Sequence, residues 1–361
     1  MSRVASLVAA CMLAMPLAAQ QPAPRWQTTQ GDFVMRDFKF ASGEVLPELR
    51  IHYTTLGTAR KDAGGHVRNA VLILHGTGGS GGGFLSQNFG GELFGPGQPL
   101  DTATHFLILP DGIGNGKSSK PSDGLHAKFP HYGYDDMVTA QYRLVTEQLG
   151  VGHLQLVMGT SMGAMHCWVW GEKYPAFMDA LMPLASAPTQ IAGRNRMMRQ
   201  FIADAIRGDP DWKSGEYTQQ PRGLRAAMGM LFMMTSSPLQ QQKTAPSRDS
   251  ADRVMTGYLD RGMRTNDAND MLYQFESSRD YDPSAKLENI RATLLAVNSA
   301  DDLVNPPELG LVDSLIKRVP RGRFVLIPTS DRTRGHGTHS MAALWKNELV
   351  ELLRVSQTTT R

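Results

Sequence analysis

Short apolar runs that end at turn residues recur along this chain, and they are the feature that most constrains its fold. Runs of this kind occupy residues 70–74, 105–109, 154–158, 180–184 and 293–297. Continuous apolar runs of this length are typical of parallel strands buried on both faces of a sheet. Helical patterns, such as the one over 134–149, alternate with them. Because parallel strands are joined by right-handed crossovers, the alternation predicts an α/β domain whose mostly parallel central sheet is flanked by helices.

The alternation is interrupted once, between the runs at 180–184 and 293–297. Residues 188–283 carry helical segments rich in Arg, Gln and Met. A chain of 361 residues has room for one large core and a smaller insertion. We therefore predict an α/β core in two parts, 32–187 and 284–355, with a helical lid inserted at 188–283. The methionines of this segment either mould themselves to apolar ligands or fill a helical core.

The two ends of the core carry further elements. Strand-like patterns at 32–40 and 48–55 predict an amino-terminal hairpin. The apolar run at 324–327 predicts a last strand, and 341–353 predicts a closing helix with one apolar face.

The first residues have the pattern of an export signal. Arg3 precedes an apolar run over 4–17, and two small residues, Ala18 and Ala19, follow it. The run is shorter than the roughly 20 residues that span a bilayer, so we expect a cleaved signal peptide at 1–19 and no stable membrane span. This pattern predicts a periplasmic or secreted protein. The alternative is a lipoprotein, since residues 8–11 resemble a cleavage box that ends at Cys11.

Neither nucleic acid nor a nucleotide phosphate is an expected ligand. The formal net charge is +3 with 20% charged residues, and no basic tract is present. Residues 111–118 nearly match a phosphate-binding loop, but Asp111 occupies the place of its first glycine. Ser119, Lys120 and Pro121 then follow where such a loop would open a helix. We interpret this segment as a turn that helps to wall the active site.

Gly-Thr-Ser-Met-Gly at 159–163 carries the expected nucleophile, Ser161. The segment follows a buried strand and opens a helix, which is the context of a nucleophile elbow. The serine of an elbow occupies a strained turn, so the residues two places before and after it must lack bulk. The same spacing recurs around Ser80, but no helical pattern follows there.

The glycine-rich segment at 74–79 ends an earlier strand, at the place where an elbow fold has its second oxyanion donor. We expect the backbone N–H groups of Thr77 and Met162 to form the oxyanion hole, with Gly78 as the alternative to Thr77. The alternative interpretation is that this glycine-rich segment is a flexible loop with no role in catalysis.

A serine hydroxyl needs a base and a carboxylate that orients it, and both occur downstream in the order Ser, Asp, His. Asp302, preferred to the adjacent Asp301, follows a buried strand. His336 lies between two glycines after the last strand and is preferred to His339, which we expect to begin the closing helix. Histidines three residues apart also occur in metal sites, but no acidic or cysteine partner stands beside this pair.

With these residues in place, the chain resembles the homoserine O-acetyltransferase branch of the α/β-hydrolase superfamily. The resemblance rests on Tyr-Asp-Asp-Met-Val-Thr-Ala-Gln at 134–141, Leu-Gly at 149–150, the segment 159–165, residues 302–307 and Gly-His at 335–336. It implies an α/β-hydrolase fold, a triad of Ser161, His336 and Asp302, an acyl-serine intermediate and a lid over an apolar tunnel. It also implies no metal, no cofactor and a homodimer formed through the lid.

Two residue patterns depart from that branch. The family's transferases usually carry an aspartate after the histidine, where it meets the substrate amino group, and here that residue is Gly337. The lid segment 223–228 matches only loosely, which leaves the arginine for a substrate carboxylate unidentified. Export also separates the protein from cytoplasmic acetyl-coenzyme A. We therefore expect hydrolysis of a small-molecule acyl ester, with two alternatives: acyl transfer from an acyl-coenzyme A, and ligand binding without catalysis.

Overall fold

The computed structural model describes residues 26–359, and the predicted signal peptide with Cys11 lies outside them. One sheet of eight strands runs through this part of the chain, in the spatial order β1-β2-β4-β3-β5-β6-β7-β8. The strands are β1 (Thr28–Lys39), β2 (Val45–Leu56), β3 (Ala70–Leu74), β4 (Phe106–Pro110), β5 (Leu154–Thr160), β6 (Met178–Leu184), β7 (Thr293–Ser299) and β8 (Gly322–Ile327).

The sheet is parallel except at one side. Strands β1 and β2 form an antiparallel hairpin, and β2 pairs antiparallel with β4. From β4 to β8 every pairing is parallel. The structure therefore confirms the mostly parallel α/β architecture. The strand directions bring the carboxyl ends of β3, β5, β7 and β8 to the same edge, where all of the predicted site residues lie.

Helices pack on both faces of the sheet and also form the segment inserted between β6 and β7. They are α1 (Gly90–Leu93), α2 (Tyr134–Arg143), α3 (Met162–Lys173), α4 (Gly193–Arg207), α5 (Arg222–Thr235), α6 (Pro238–Thr244), α7 (Arg248–Thr265), α8 (Ala268–Glu276), α9 (Leu311–Leu315) and α10 (Lys346–Thr359). Residues of α2 and α3 belong to one apolar core, and residues of α1 and α10 belong to the other. Within residues 26–359, no helix combines the length and the apolar character needed to cross a bilayer.

The segment between β6 and β7 contains helices α4 to α8. These helices have an apolar cluster of their own, which includes the buried Met198, Met228, Met234 and Met271. These four methionines therefore fill a helical core. Val304, which follows β7, belongs to the same cluster. The inserted helices are thus packed against the chain immediately after Asp302.

The closing helix begins later than the sequence pattern indicates. A short 3₁₀ turn covers Ala342–Leu344, and α10 starts at Lys346, with Leu349 and Leu352 buried on its apolar face. The prediction that His339 begins this helix was wrong, because it lies in a separate 3₁₀ turn, Gly337–Ser340. The two turns cannot continue as one helix because Met341 has a ψ of 73°.

Candidate active site

Ser161 occupies a strained turn between β5 and α3. Its backbone has φ 54° and ψ −112°, a left-handed conformation that side chains rarely adopt. The glycines beside it are required by packing. A Cβ on Gly159 would collide with the backbone of Gly163, and a Cβ on Gly163 would collide with the carbonyl group of Leu74. The local sequence therefore forces a sharp strand-to-helix turn that raises the serine hydroxyl above the edge of the sheet.

The structure brings the three predicted side chains together. The Nε2 atom of His336 lies 2.8 Å from the Oγ atom of Ser161. The Nδ1 atom of the same ring lies 2.9 Å from Oδ2 of Asp302. Both distances are those of good hydrogen bonds. A continuous chain of hydrogen bonds thus links hydroxyl, imidazole and carboxylate, although the residues are far apart in sequence.

The carboxylate of Asp302 is buried but well supplied with donors. Its Oδ1 accepts a hydrogen bond from the backbone N–H of Val304 at 2.8 Å, and Oδ2 accepts one from the Asn305 amide at 3.0 Å. Burial raises the pKa of Asp302, but His336 and these hydrogen bonds outweigh burial and hold the pKa below its ordinary value. An ionised Asp302 accepts a hydrogen bond from the Nδ1–H of His336, which leaves the Nε2 lone pair directed at Ser161.

Asp301, the alternative carboxylate, faces other partners. Its Oδ2 accepts hydrogen bonds from the backbone N–H of Gly335 at 2.9 Å and from the hydroxyl of Ser237 at 3.1 Å. Ser237 is the residue that precedes α6 in the inserted segment. Asp301 therefore binds the loop before His336 and ties that loop to the helices above it.

His339, the alternative histidine, packs edge-to-face against His336 with ring centroids 5.2 Å apart. Its Nδ1 atom is hydrogen-bonded to the hydroxyl of Ser340 at 2.9 Å. Burial, assisted by His336, lowers the pKa of His339 to about 3, so its ring is neutral at ordinary pH. Across residues 26–359, no group of three or more His, Cys, Asp and Glu side chains is arranged to hold a metal ion.

The loop after β3 passes directly against Ser161. A Cβ on Gly76 would lie 3.2 Å from the Cβ of Ser161. The backbone N–H of Gly78, the alternative oxyanion donor, donates instead to the Oδ1 of Asn115 at 3.0 Å. This hydrogen bond commits the Gly78 N–H elsewhere and favours the N–H of Thr77, together with that of Met162 at the start of α3.

The turn at 111–118 supports this loop. Asp111 accepts hydrogen bonds from the backbone N–H of Gly81 at 2.7 Å and of Lys117 at 2.8 Å. The acidic residue that breaks the phosphate-loop pattern is therefore the residue that holds the turn and the loop together. The turn therefore acts as a scaffold for the loop beside Ser161, and residues 111–118 do not line the cavities at that serine, contrary to the sequence-based interpretation.

Two residues of this scaffold were missed by sequence reasoning, Asn115 and His75. The Nε2 atom of His75 accepts a hydrogen bond from the N–H of Gly112 at 2.9 Å, and its Nδ1 lies 2.8 Å from the carbonyl oxygen of Gly76. Burial lowers the pKa of His75, so the ring is neutral and suited to accept one hydrogen bond and donate the other. The sequence did carry a signal for His75, because this histidine directly follows a buried strand and precedes the glycine-rich loop.

Two cavities meet at Ser161 and His336. The wide cavity, of about 1210 Å³, lies between the loop after β3, the 336–340 loop and the inserted helices, where Met234 and Phe275 line it. The narrow cavity, of about 740 Å³ counted to its open mouth, lies between the segments that follow β6 and β7 and the strand β8. A substrate bound with its ester group at Ser161 would therefore place one portion in each cavity.

Arg199 of α4 lies at the junction of the two cavities and lines both. Its side chain donates to the Oδ1 of Asn195 and to the hydroxyl of Ser278, each at 2.9 Å, and packs over the ring of Phe275. The residue is only 4% exposed, and within the described part of the chain its hydrogen-bond partners are neutral and no carboxylate forms an ion pair with it. Sequence reasoning left the lid arginine unidentified, and the structure singles out Arg199 by position.

Comparisons with known proteins agree with this architecture. Residues 69–332 match the family model described as alpha/beta hydrolase fold. The chain is 30% identical, over 78% of its own length and 78% of the relative's, to a homoserine O-acetyltransferase of Haloferax prahovense. The same fold occurs in the solved homoserine O-acetyltransferase of Bacillus anthracis (TM-score 0.79, 23% identity, 90% of this chain and 97% of that one). It also occurs in an acetylester hydrolase of Corynebacterium glutamicum (TM-score 0.78, 22% identity, 90% of this chain and 96% of that one). The chain therefore belongs to the α/β-hydrolase fold family, in the branch that contains the homoserine O-acetyltransferases.

Proposed function

We propose that this protein is a serine acyl hydrolase that cleaves carboxylic esters. The observation that carries the proposal is the continuous hydrogen bonding from Ser161 through His336 to Asp302. Each group has the partner that its role requires: the nucleophile has a base within reach, and the base has a buried anion behind it. The strained elbow and the glycine-lined loop beside it supply the remaining parts of an acyl-transfer site.

In the first half of the reaction, the Oγ atom of Ser161 attacks the ester carbonyl carbon while His336 takes the hydroxyl proton. The oxyanion that forms accepts hydrogen bonds from the N–H groups of Thr77 and Met162. His336 then gives its proton to the leaving alcohol oxygen as the carbon–oxygen bond breaks. The products of this half are the free alcohol and an ester of Ser161 with the acyl group.

In the second half, water replaces the alcohol. His336 takes a proton from the water as its oxygen attacks the acyl-serine, and then returns that proton to the Oγ of Ser161. The carboxylic acid leaves and the enzyme is regenerated. Asp302 stays ionised throughout, because its hydrogen bonds keep its pKa low, and it stabilises the imidazolium in both halves.

The choice of water as the acyl acceptor rests on Gly337 and on the reactions of the proteins that share this fold. Residue 337 has no side chain with which to pair the ammonium group of an amino-alcohol acceptor. The solved structures that share this fold include a transferase and a hydrolase, so the architecture accommodates both reactions. With no charge partner at 337 for such an acceptor, hydrolysis is favoured.

Replacement of the nucleophile tests the proposal. Purified protein and the Ser161→Ala variant are assayed with 4-nitrophenyl acetate and butanoate, and thermal unfolding of both confirms an intact fold. We expect kcat to fall by about 10⁴-fold in the variant. A fluorophosphonate probe should label the wild type and leave the variant unlabelled. Full activity in the variant contradicts the proposal, and absence of labelling in the wild type favours a non-catalytic binding protein.

A second candidate, acyl transfer from an acyl-coenzyme A to a small alcohol, is favoured by Arg199. This buried guanidinium has no carboxylate partner among residues 26–359 and is suited to a substrate that carries a carboxylate of its own. Consumption of acetyl-coenzyme A is measured with and without homoserine. A hydrolase releases coenzyme A at a rate that ignores the acceptor, whereas a transferase requires it and loses most of that dependence in Arg199→Met.

A further inference from the structure

The narrow cavity runs from the nucleophile to the protein surface. Its inner end is formed by Ser161, Met165 and Ala185. Its outer end is formed by leucines that are exposed to solvent: Leu309 by 61%, Leu311 by 39% and Leu326 by 37%. Single exposed apolar side chains are common on protein surfaces, but a group of large ones around one opening forms an apolar patch of the kind found at binding sites. The cavity is therefore a passage from Ser161 to the surface, and apolar side chains form much of its lining.

Two polar side chains along this passage, those of Asn298 and Asn305, have hydrogen-bond partners within the protein. Asn298 exchanges hydrogen bonds with the backbone of Ser186, and Asn305 donates to Asp302 and to the carbonyl oxygen of Ala185. Amides that are paired in this way make no demand on a ligand. Besides Ser161 and His336, the other polar residues that line the cavity are Thr189, Gln190, Asn195, Arg199 and Asp313. The apolar surface available to an acyl chain comes from four parts of the chain: Met165, Ala187, Ile191, Val312 and Phe324.

The position of the imidazole decides which half of an ester enters the passage. The loop that carries His336 lines the wide cavity with Gly337, His339 and Ser340 as well, whereas His336 alone of that loop reaches the narrow cavity. His336 must protonate the leaving oxygen, so the alcohol portion lies on the side of that loop, in the wide cavity. The acyl portion, on the opposite side of the carbonyl carbon, is then directed into the narrow cavity.

We propose that the narrow cavity binds the acyl chain of the substrate and that the preferred substrates are esters of unbranched, medium-length to long carboxylic acids. The proposal rests on the hydrolase function proposed above and specifies its substrate class. The narrow cavity is the smaller of the two at Ser161, so we expect it to accept a straight chain more readily than a chain branched next to the carbonyl carbon. Because the outer end is open, a chain longer than the passage protrudes among the exposed leucines.

A chain-length series tests the assignment. Wild-type protein is assayed with 4-nitrophenyl acetate, butanoate, octanoate, dodecanoate and pivalate. We expect kcat/KM to rise from acetate to octanoate, by up to about fourfold for each buried methylene, to hold at dodecanoate and to be lowest for pivalate. A second series, acetates of alcohols of increasing length, should show no such rise. A rise in the alcohol series alone would overturn the assignment.

Three variants test whether the preference for acyl chain length arises in the narrow cavity. Ala187→Leu fills the passage and should lower the octanoate-to-acetate ratio of kcat/KM by about tenfold or more. Leu309→Glu places a charge at the exposed mouth, where it does not disturb the core, and should lower the dodecanoate-to-acetate ratio several-fold. Val45→Glu is the matched control, since Val45 lies on β2 away from this cavity and is 50% exposed. Unchanged ratios in both Ala187→Leu and Leu309→Glu would overturn the proposal.

Binding separates this proposal from the hydrolase function. The inactive Ser161→Ala protein is titrated with methyl octanoate and methyl pivalate by isothermal titration calorimetry, with and without Ala187→Leu. We expect methyl octanoate to bind, methyl pivalate to bind at least tenfold more weakly, and the double variant to lose the difference. Equal binding of both esters overturns the acyl-chain site even if the wild type proves to be a hydrolase. Selective binding supports the site even if ester turnover fails.

Discussion

The carboxylate of Asp301 accepts a hydrogen bond from the backbone N–H of Gly335 at 2.9 Å, one residue before His336. The same oxygen accepts one from the hydroxyl of Ser237, in the inserted helices. Two adjacent carboxylates therefore have separate duties: Asp302 contacts the imidazole, and Asp301 holds the loop that carries it. Gly335 has φ 61° and is packed so closely against Ser236 and Ser237 that a side chain there would be crowded.

Replacing each aspartate separately distinguishes these duties. We expect Asp302→Ala to lower kcat by about 10⁴-fold, because the tautomer and charge of His336 are no longer controlled. Asp301→Ala should lower kcat by about tenfold, since the loop loses a buried acceptor but His336 keeps its carboxylate. Steady-state kinetics on 4-nitrophenyl butanoate measure both. Asp301→Asn, which keeps an acceptor, serves as the rescue variant, and a loss of about 10⁴-fold in Asp301→Ala would reverse the assignment.

The two histidines of the 336–340 loop should differ in the same way. His336→Ala removes the base and should lower kcat by about 10⁴-fold. His339→Gln keeps a hydrogen-bonding side chain beside Ser340 and should change kcat by less than about tenfold. Comparable losses in the two variants, with unfolding curves that match the wild type, would contradict the role given to His336.

Removal of the Asn115 side chain tests the scaffold of the oxyanion loop. In Asn115→Ala the N–H of Gly78 loses its acceptor, so the loop that carries Thr77 is no longer held beside Ser161. We expect kcat to fall by about tenfold to a hundredfold with little change in KM, because the loss falls on the oxyanion of the transition state. Thr265, exposed on α7, offers a control position through Thr265→Ala. A change confined to KM would show that Asn115 contacts substrate instead.

The parts of this site that could be predicted from sequence are those with a fixed local context. Ser161 is recognisable because a buried strand, two glycines and a helix surround it, and residues 302 and 336 follow strands in the expected order. The roles of Asp301 and Asn115 depend on contacts between segments far apart in the chain, and no local pattern reports those contacts. The start of α10 was missed for a similar reason, since Ala342 donates its N–H to the carbonyl oxygen of Asn88.

The raised pKa of Glu172, on α3, leads to a prediction of how the stability of the folded protein depends on pH. Burial raises the pKa of this carboxyl from its ordinary 4.5 to about 8, against the opposing charge of Lys286, and its Oε1 atom is buried without a hydrogen-bond partner. The folded protein therefore holds a proton that the unfolded chain releases between these two pH values. The stability that this proton gives is complete below about pH 4.5 and is lost as the pH rises towards 8.

Replacing Glu172 by glutamine, which has the same shape but cannot ionise, should remove this loss of stability at high pH. We expect the Tm of Glu172→Gln, measured relative to wild type from pH 5 to 9, to increase with pH. Glu147→Gln is the control, because the Glu147 side chain is half exposed and pairs with Arg143. A Tm difference for Glu172→Gln that stays constant across this range would show that the group titrates normally in the folded state.

The left-handed backbone at position 161 also bears on how the protein balances activity and durability. Glycine adopts such a conformation freely, whereas a side chain there is held under tension by the surrounding sheet and helix. The hydroxyl proposed above as the nucleophile is thus carried by a residue with a strained backbone. Glycine at this position would relieve that strain and remove the hydroxyl, so selection for heat resistance alone would work against the proposed catalytic residue.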